Sequence, residues 1–154
     1  MTLEHPHLKR LDRIWIDNPI YFVTTCTDRR RKILANAQTA AILIEEWRNA
    51  KERHAWYIGR YVIMPDHVHF FCAPGYQAQD LSTFMKLWKE WTSKRIKKEC
   101  VIQGNIWQKQ FFDHLLRSNE SYVQKWDYVF YNPVRAGIVK YAVDWLWQGE
   151  IEIL

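Results

Sequence analysis

The chain has 154 residues, 48% of them hydrophobic and 25% charged, a balance that suits one folded domain and argues against a disordered protein. No apolar run approaches the roughly 20 residues of a membrane helix, and the N-terminal MTLEHPHLKRLDR lacks the apolar stretch of a signal peptide, so a cytoplasmic protein with no membrane partner is expected. Three cysteines without CxxC spacing argue against a disulfide framework or a cysteine zinc site, whereas a formal charge of +5 with nine tryptophans invites a polyanionic partner.

In chain order, residues 20–25 (IYFVTT) form a β-branched and aromatic run that predicts a strand, and a basic cluster, Arg29, Arg30, Arg31 and Lys32, predicts the loop after it. Across 38–53, Ala41, Ile42, Ile44, Trp47 and Ala50 recur at helical spacing and predict the first helix. Residues 56–64 and 67–72 read as two strands, hinged at Pro65-Asp66 and closed by Ala73-Pro74-Gly75. Asp80 is placed to cap a helix running to about residue 98, with Leu81, Phe84, Met85, Trp88 and Trp91 on its apolar stripe. A fourth strand is expected within 106–116 and a third long helix over 119–132, ended by Pro133. The order β-α-β-β-α-β with a trailing helix predicts an α+β fold. We expect a ferredoxin-like (RRM-like) split β-α-β antiparallel sheet with helices on one face and a C-terminal tyrosine-bearing helix, in one domain over 1–154.

Two groups of residues carry the chemistry. In the strand MPDHVHFF, His67 and His69 stand at i and i+2, so both imidazoles project from one face and can offer nitrogens to one point. Paired histidines on a strand also serve as hydrogen-bonded rim residues, so a metal site needs a third ligand. In the third helix Tyr122, Trp126, Val129 and Phe130 share a stripe that reads as core. Tyr128 and Asn132, one turn apart, fall near the opposite side with Ser121 and Gln124. The plainer readings are a solvated tyrosine and an asparagine capping a short helix that begins at Pro133.

MPDHVHFF, WQKQFFDHLLR (107–117) and YVFYNPVRAGIVK (128–140), together with YFVTTCTDRRR (21–31), resemble the IS200-like HUH transposases, and within them the REP-associated tyrosine transposases. The resemblance spans most of the chain. It implies a transposase, a single-strand endonuclease and strand-transferase acting on single-stranded or hairpin DNA through a 5′-phosphotyrosine intermediate. It matches Tyr128 to the nucleophile and His67, His69 and Asn132 to the ligands of one divalent metal, Mg²⁺ or Mn²⁺. A monomer is favoured over a homodimer, and a DNA-acting protein is expected at the nucleoid.

Lys125, at i−3 from Tyr128, is a candidate to support the phenolate, and His114 a candidate structural or DNA-contacting residue. The alternative for His114 is a third histidine ligand in a zinc hydrolase that uses activated water. A domesticated relative that holds hairpins without cutting them is the other alternative. Candidate phosphate contacts are Arg29, Arg30, Arg31, Lys86, Lys89, Lys94, Arg95, Arg117 and Arg135, with Lys32, Lys97 and Lys98 beside them; for each lysine a solvated helix face is the simpler account. His5, His7 and His54 match nothing in the family and are expected at the surface.

Overall fold

A computed structural model describes residues 19–154, so His5, His7 and the N-terminal segment lie outside the described residues. The elements are β1 (Ile20–Cys26), a 3-10 turn (Asp28–Arg30), α1 (Ala37–His54), β2 (Trp56–Ile63), β3 (His67–Pro74), α2 (Leu81–Glu99), β4 (Phe112–Leu116), α3 (Asn119–Phe130), the single turn α4 (Asn132–Arg135), a second 3-10 turn (Ala142–Asp144) and β5 (Gln148–Glu150). The sheet runs β4-β1-β3-β2-β5 with every neighbouring pair antiparallel. β3 therefore lies between β1 and β2, which α1 connects: the expected split β-α-β of a ferredoxin-like α+β fold.

Both faces of this sheet are covered, which explains why adjacent residues such as Phe70 and Phe71 are both fully buried despite the two-residue period of a strand. One face sends Val23, Ile58, Ile63, Val68 and Phe70 against Leu43 and Trp47 of α1 and Phe84 and Trp88 of α2. The other sends Phe22, Val62 and Phe71 against Val129, Tyr122 and Trp126 of α3 and against Trp145. The tyrosine-bearing helix thus packs opposite the other two long helices. Among the described residues no helix is long and apolar enough to cross a membrane, and the three cysteines are free, Cys26 and Cys72 buried.

Helix starts follow local chemistry. The side chains of Asn36, Asp80 and Ser118 accept from the backbone N–H of Thr39, Thr83 and Ser121, capping α1, α2 and α3. Three expectations need correction. The buried residues of α1 are Thr39, Ala40, Ile42, Leu43, Glu46, Trp47 and Ala50, so Ile42, Trp47 and Ala50 fall where expected, while Ile44 is half-buried and Ala41 exposed. That of α2 turns from Trp88 to Thr92 and Ile96, because i+4 stays nearer the contact line than i+3; Trp91 is left outside under the Arg53 guanidinium. The fourth strand, Phe112–Leu116, lies within the expected 106–116. Residues before it form a loop pinned by a Thr27–Trp107 bridge, a Trp107 Nε1 bond to Thr92 Oγ1 of 2.9 Å, and Lys89 Nζ donating to the carbonyls of Gln108, Lys109 and Gln110. His54 rests its ring on Phe84, centroids 5.5 Å apart, and burial lowers its pKa.

Candidate active site

The turn after β1 and the β2–β3 hinge are knit together. Thr27, buried, receives Asp66 through its backbone N–H (2.9 Å to the Asp66 carbonyl) and its hydroxyl (3.1 Å to the same oxygen). This fixes Asp66 immediately before His67. Its Oδ1 accepts from His67 Nδ1 at 2.7 Å, and its Oδ2 accepts from Arg30 Nε at 3.0 Å. On the neighbouring strand Thr24 stands opposite His69 in the β1–β3 register, with its hydroxyl 2.7 Å from His69 Nδ1. Each imidazole thus has Nδ1 engaged by an oxygen, which leaves the Nε2 lone pair facing outward.

Both lone pairs meet Asn132. Its amide nitrogen donates to His69 Nε2 at 3.0 Å and to His67 Nε2 at 3.4 Å, and the two rings stand edge to face with centroids 4.8 Å apart. A half-turn of the carboxamide presents its oxygen at the same point, so the set is two imidazole nitrogens and one amide oxygen. Both rings are held toward the neutral form. Burial, with the positive charges of Arg135 and Lys125 and the neighbouring His67, pulls His69 down to about 3. Burial lowers His67 as well, against the pull of Asp66.

α3 does not run unbroken to Asn132. The helix ends at Phe130, Tyr131 takes φ −86° and ψ 2°, and a new turn begins at Asn132. The cause is Pro133, which has no N–H to offer the Val129 carbonyl. Asn132 does not cap α4 with its side chain; no such bond is present, and its amide is spent on the histidines.

Tyr128, one turn earlier, is 64% exposed. The Arg135 guanidinium lies 3.9 Å over its ring and donates to its carbonyl, so α4 folds back onto the tyrosine. Tyr128 lines a cleft of ≈340 Å³ with Ser121, Gln124 and Lys125 of α3 and His114 and Leu116 of β4. Lys125 Nζ stands 5.2 Å over the Phe22 ring, which itself stacks on His69 at 5.3 Å. Among the described residues no cluster of three or more His, Cys, Asp or Glu side chains is gathered, so His114 does not complete a three-histidine set with His67 and His69.

The candidate phosphate contacts divide by what already holds them. Arg30 is bonded to Asp66. Arg31 donates to the carbonyls of Gln103 and Asn105, and Arg95 is engaged by Glu45, Glu46 and Glu99. Arg29 is 89% exposed, and Lys86, Lys94 and Arg117 are exposed too. Lys86, Lys89, Lys94, Lys97 and Lys109 line a second, larger groove of ≈1070 Å³ between α2 and the loop before β4. Sequence reasoning did not find Asp66, Thr24 or the bracing role of Arg30. Asp66 is adjacent to His67 and so was legible in principle, whereas Thr24 depends on strand register.

A family model described as "Transposase IS200 like" matches residues 16–126. The chain belongs to the IS200-like transposase family. The matched segment contains His67 and His69 and ends before Tyr128 and Asn132. A REP-associated tyrosine transposase of Escherichia coli K12 is 29% identical over 133 residues, covering 86% of this chain and 77% of that protein. The solved structure of a REP-associated tyrosine transposase bound to a REP hairpin superposes with a TM-score of 0.70 at 26% identity, covering 84% of this chain and 75% of that one. Membership of this family makes the protein a DNA-processing enzyme, and the resemblance to the REP-associated branch extends along most of the fold.

Proposed function

We propose that this IS200-like transposase cuts and rejoins single-stranded DNA beside a hairpin, with Tyr128 as nucleophile and one divalent ion, Mg²⁺ or Mn²⁺, held by His67, His69 and Asn132. The observation that carries the reading is the meeting of the Asn132 amide with both Nε2 lone pairs, 65 and 63 residues away in sequence, one helical turn beyond Tyr128. The related structure solved with a REP hairpin supports hairpin DNA as the partner.

The donor set suits such an ion: two neutral imidazoles and a neutral amide, with Asp66 and Thr24 orienting the rings from behind. When bound, the ion supplies Lewis-acid polarisation of the scissile phosphate. Tyr128 attacks phosphorus, the P–O3′ bond breaks, and the products are a 5′-phosphotyrosine and a free 3′-OH. The phosphodiester is exchanged rather than hydrolysed, so the step runs in reverse with a new 3′-OH, as strand transfer requires. Arg135 and Lys125 set positive charge beside Tyr128 and His69, suited to a phosphate arriving there. The lysine-lined groove along α2 suits the backbone of the hairpin stem. Asn132 meets the histidines of its own chain, which favours a monomer, at work in the cytoplasm on nucleoid DNA.

The test uses a pool of hairpin oligonucleotides with randomised single-stranded flanks, incubated with the protein and Mn²⁺ or Mg²⁺. A covalent protein–DNA adduct is expected on denaturing gels, absent with chelator and in Tyr128→Phe. Cleavage without an adduct, or an adduct that persists in the Phe variant, overturns the assignment.

A further inference from the structure

We propose that His114 is the proton-transfer partner of Tyr128, taking the phenolic proton in cleavage and returning it in rejoining. The inference rests on the reading of Tyr128 as nucleophile. It begins from the cleft between α3 and the edge strand β4, where His114 and Tyr128 stand on facing walls of one ≈340 Å³ space. A base within direct or one-water reach of the proton it removes is the geometric requirement for general base catalysis, and His114 is the imidazole that lines the same cleft as Tyr128.

The sheet register explains why His114 is there. In β4 it lies opposite Phe22, and Phe22 stacks on His69, so His114 occupies the same sheet face as His69 with one aromatic ring between. Phe22 stands between the two imidazoles: His69 meets Asn132, and His114 lines the cleft that Tyr128 also lines. His114 is exposed and makes no hydrogen bond within the described residues, so both ring nitrogens are available. The titratable and charged groups facing it are Lys125 and Tyr128, both from α3. β1 presents Phe22, and the neighbours on its own strand face are Phe112 and Leu116. No carboxylate faces it there to hold the proton in its place. Histidine is the side chain whose ordinary acid-base chemistry spans neutral pH in both directions, which a reversible transfer needs.

The step balances. As Tyr128 Oη bonds to phosphorus, its proton moves to a ring nitrogen of His114; the P–O3′ bond breaks and the 3′-oxygen takes a proton from water in the open cleft. In rejoining, an incoming 3′-OH gives its proton to water, and protonated His114 returns a proton to the departing phenolate.

The experiment compares adduct formation by the full chain, using the hairpin pool and Mn²⁺, for the parent, His114→Gln, and His114→Gln with a difluorotyrosine at position 128. The fluorinated phenol ionises without help. We expect His114→Gln to slow adduct formation on the order of 100-fold at pH 7, with hairpin affinity and thermal midpoint unchanged. The fluorinated phenol should recover at least about tenfold of that loss. A His114→Gln rate within about threefold of the parent, a loss that the fluorophenol does not recover, or a loss matched by weaker DNA binding each overturns the assignment to proton transfer. If the parent itself forms no adduct, the nucleophile reading falls first; an adduct insensitive to His114 sinks only the present inference.

Discussion

Arg30 illustrates how much of the site depends on single residues outside the donor set. It and Arg29 take positive φ, 53° and 56°, in the turn after β1, a conformation costing non-glycine residues about 1 kcal/mol or more each. The turn is closed by the Thr27 hydroxyl on the Arg31 carbonyl (2.9 Å), and its outcome is a guanidinium on Asp66. Burial opposes ionisation of Asp66, yet the bonds from His67 and Arg30 prevail and hold its carboxyl below the ordinary range. An ionised Asp66 keeps the His67 proton on Nδ1 and the lone pair on Nε2. Arg30→Ala is therefore expected to weaken Mn²⁺ binding by about 10-fold, measured by titration calorimetry on the DNA-free protein. Unchanged Mn²⁺ affinity with reduced DNA affinity would instead make Arg30 a phosphate contact.

At the scale of elements, α1 and α2 are joined by a charge network as well as by aromatic packing. Glu46, its side chain 4% exposed, accepts from Arg53 at 2.6 Å and from Arg95 at 3.0 Å, while Arg95 also holds Glu99 at 2.8 Å. Nearby, Trp47 and Trp88 stack with centroids 5.7 Å apart. Arg95→Met leaves Glu46 with one partner instead of two. It is expected to cost about 1–2 kcal/mol of unfolding free energy, less than breaking a fully buried pair because Arg53 remains; urea denaturation reads this directly. Because Arg95 is already engaged by three carboxylates, its loss should weaken hairpin binding less than Lys94→Ala, which removes an exposed charge of the α2 groove. On the other face, the break at Tyr131 is the decisive element feature. The break separates α3, which carries Tyr128, from α4, which carries Asn132.

For the whole molecule, the cis arrangement of Asn132 and the histidines makes a sharp expectation about assembly. Mixing Tyr128→Phe with a His67→Ala/His69→Ala double variant should restore no adduct formation, since each chain would lack part of its own site. Restoration would mean that the tyrosine helix is exchanged between two chains. Folding stability should also depend on pH through the buried histidine. His69 is held at about 3 in the folded chain against about 6.5 unfolded, so between these values the unfolded state binds a proton that the native state does not. Its contribution is complete above about pH 6.5 and is lost as pH falls, by up to about 1.4 kcal/mol per unit. Urea midpoints of the metal-free protein should fall from pH 6.5 to 4.5, and His69→Gln should flatten that slope.

Local sequence determined much of this molecule. Strand runs, helix caps at Asp80 and its like, the order of elements and the i, i+2 pairing of His67 with His69 depend on backbone period and short-range hydrogen bonding, which neighbouring residues carry by themselves. The stripes of α1 and α2 were only partly legible, because a helix's buried line shifts with what packs on it: Thr92 rather than Trp91 faces Trp107. The strand expected within 106–116 occupies only its last five residues for the same reason, since Lys89 from α2 takes up the carbonyls of Gln108, Lys109 and Gln110. Only the tertiary structure decided that Asn132 lies on the histidines, that Thr24 and Asp66 orient them, and that His114 lines one cleft with Tyr128 instead of joining the pair. Those relations join residues far apart in the chain, and strand register, a helix break and the choice of sheet face set them together.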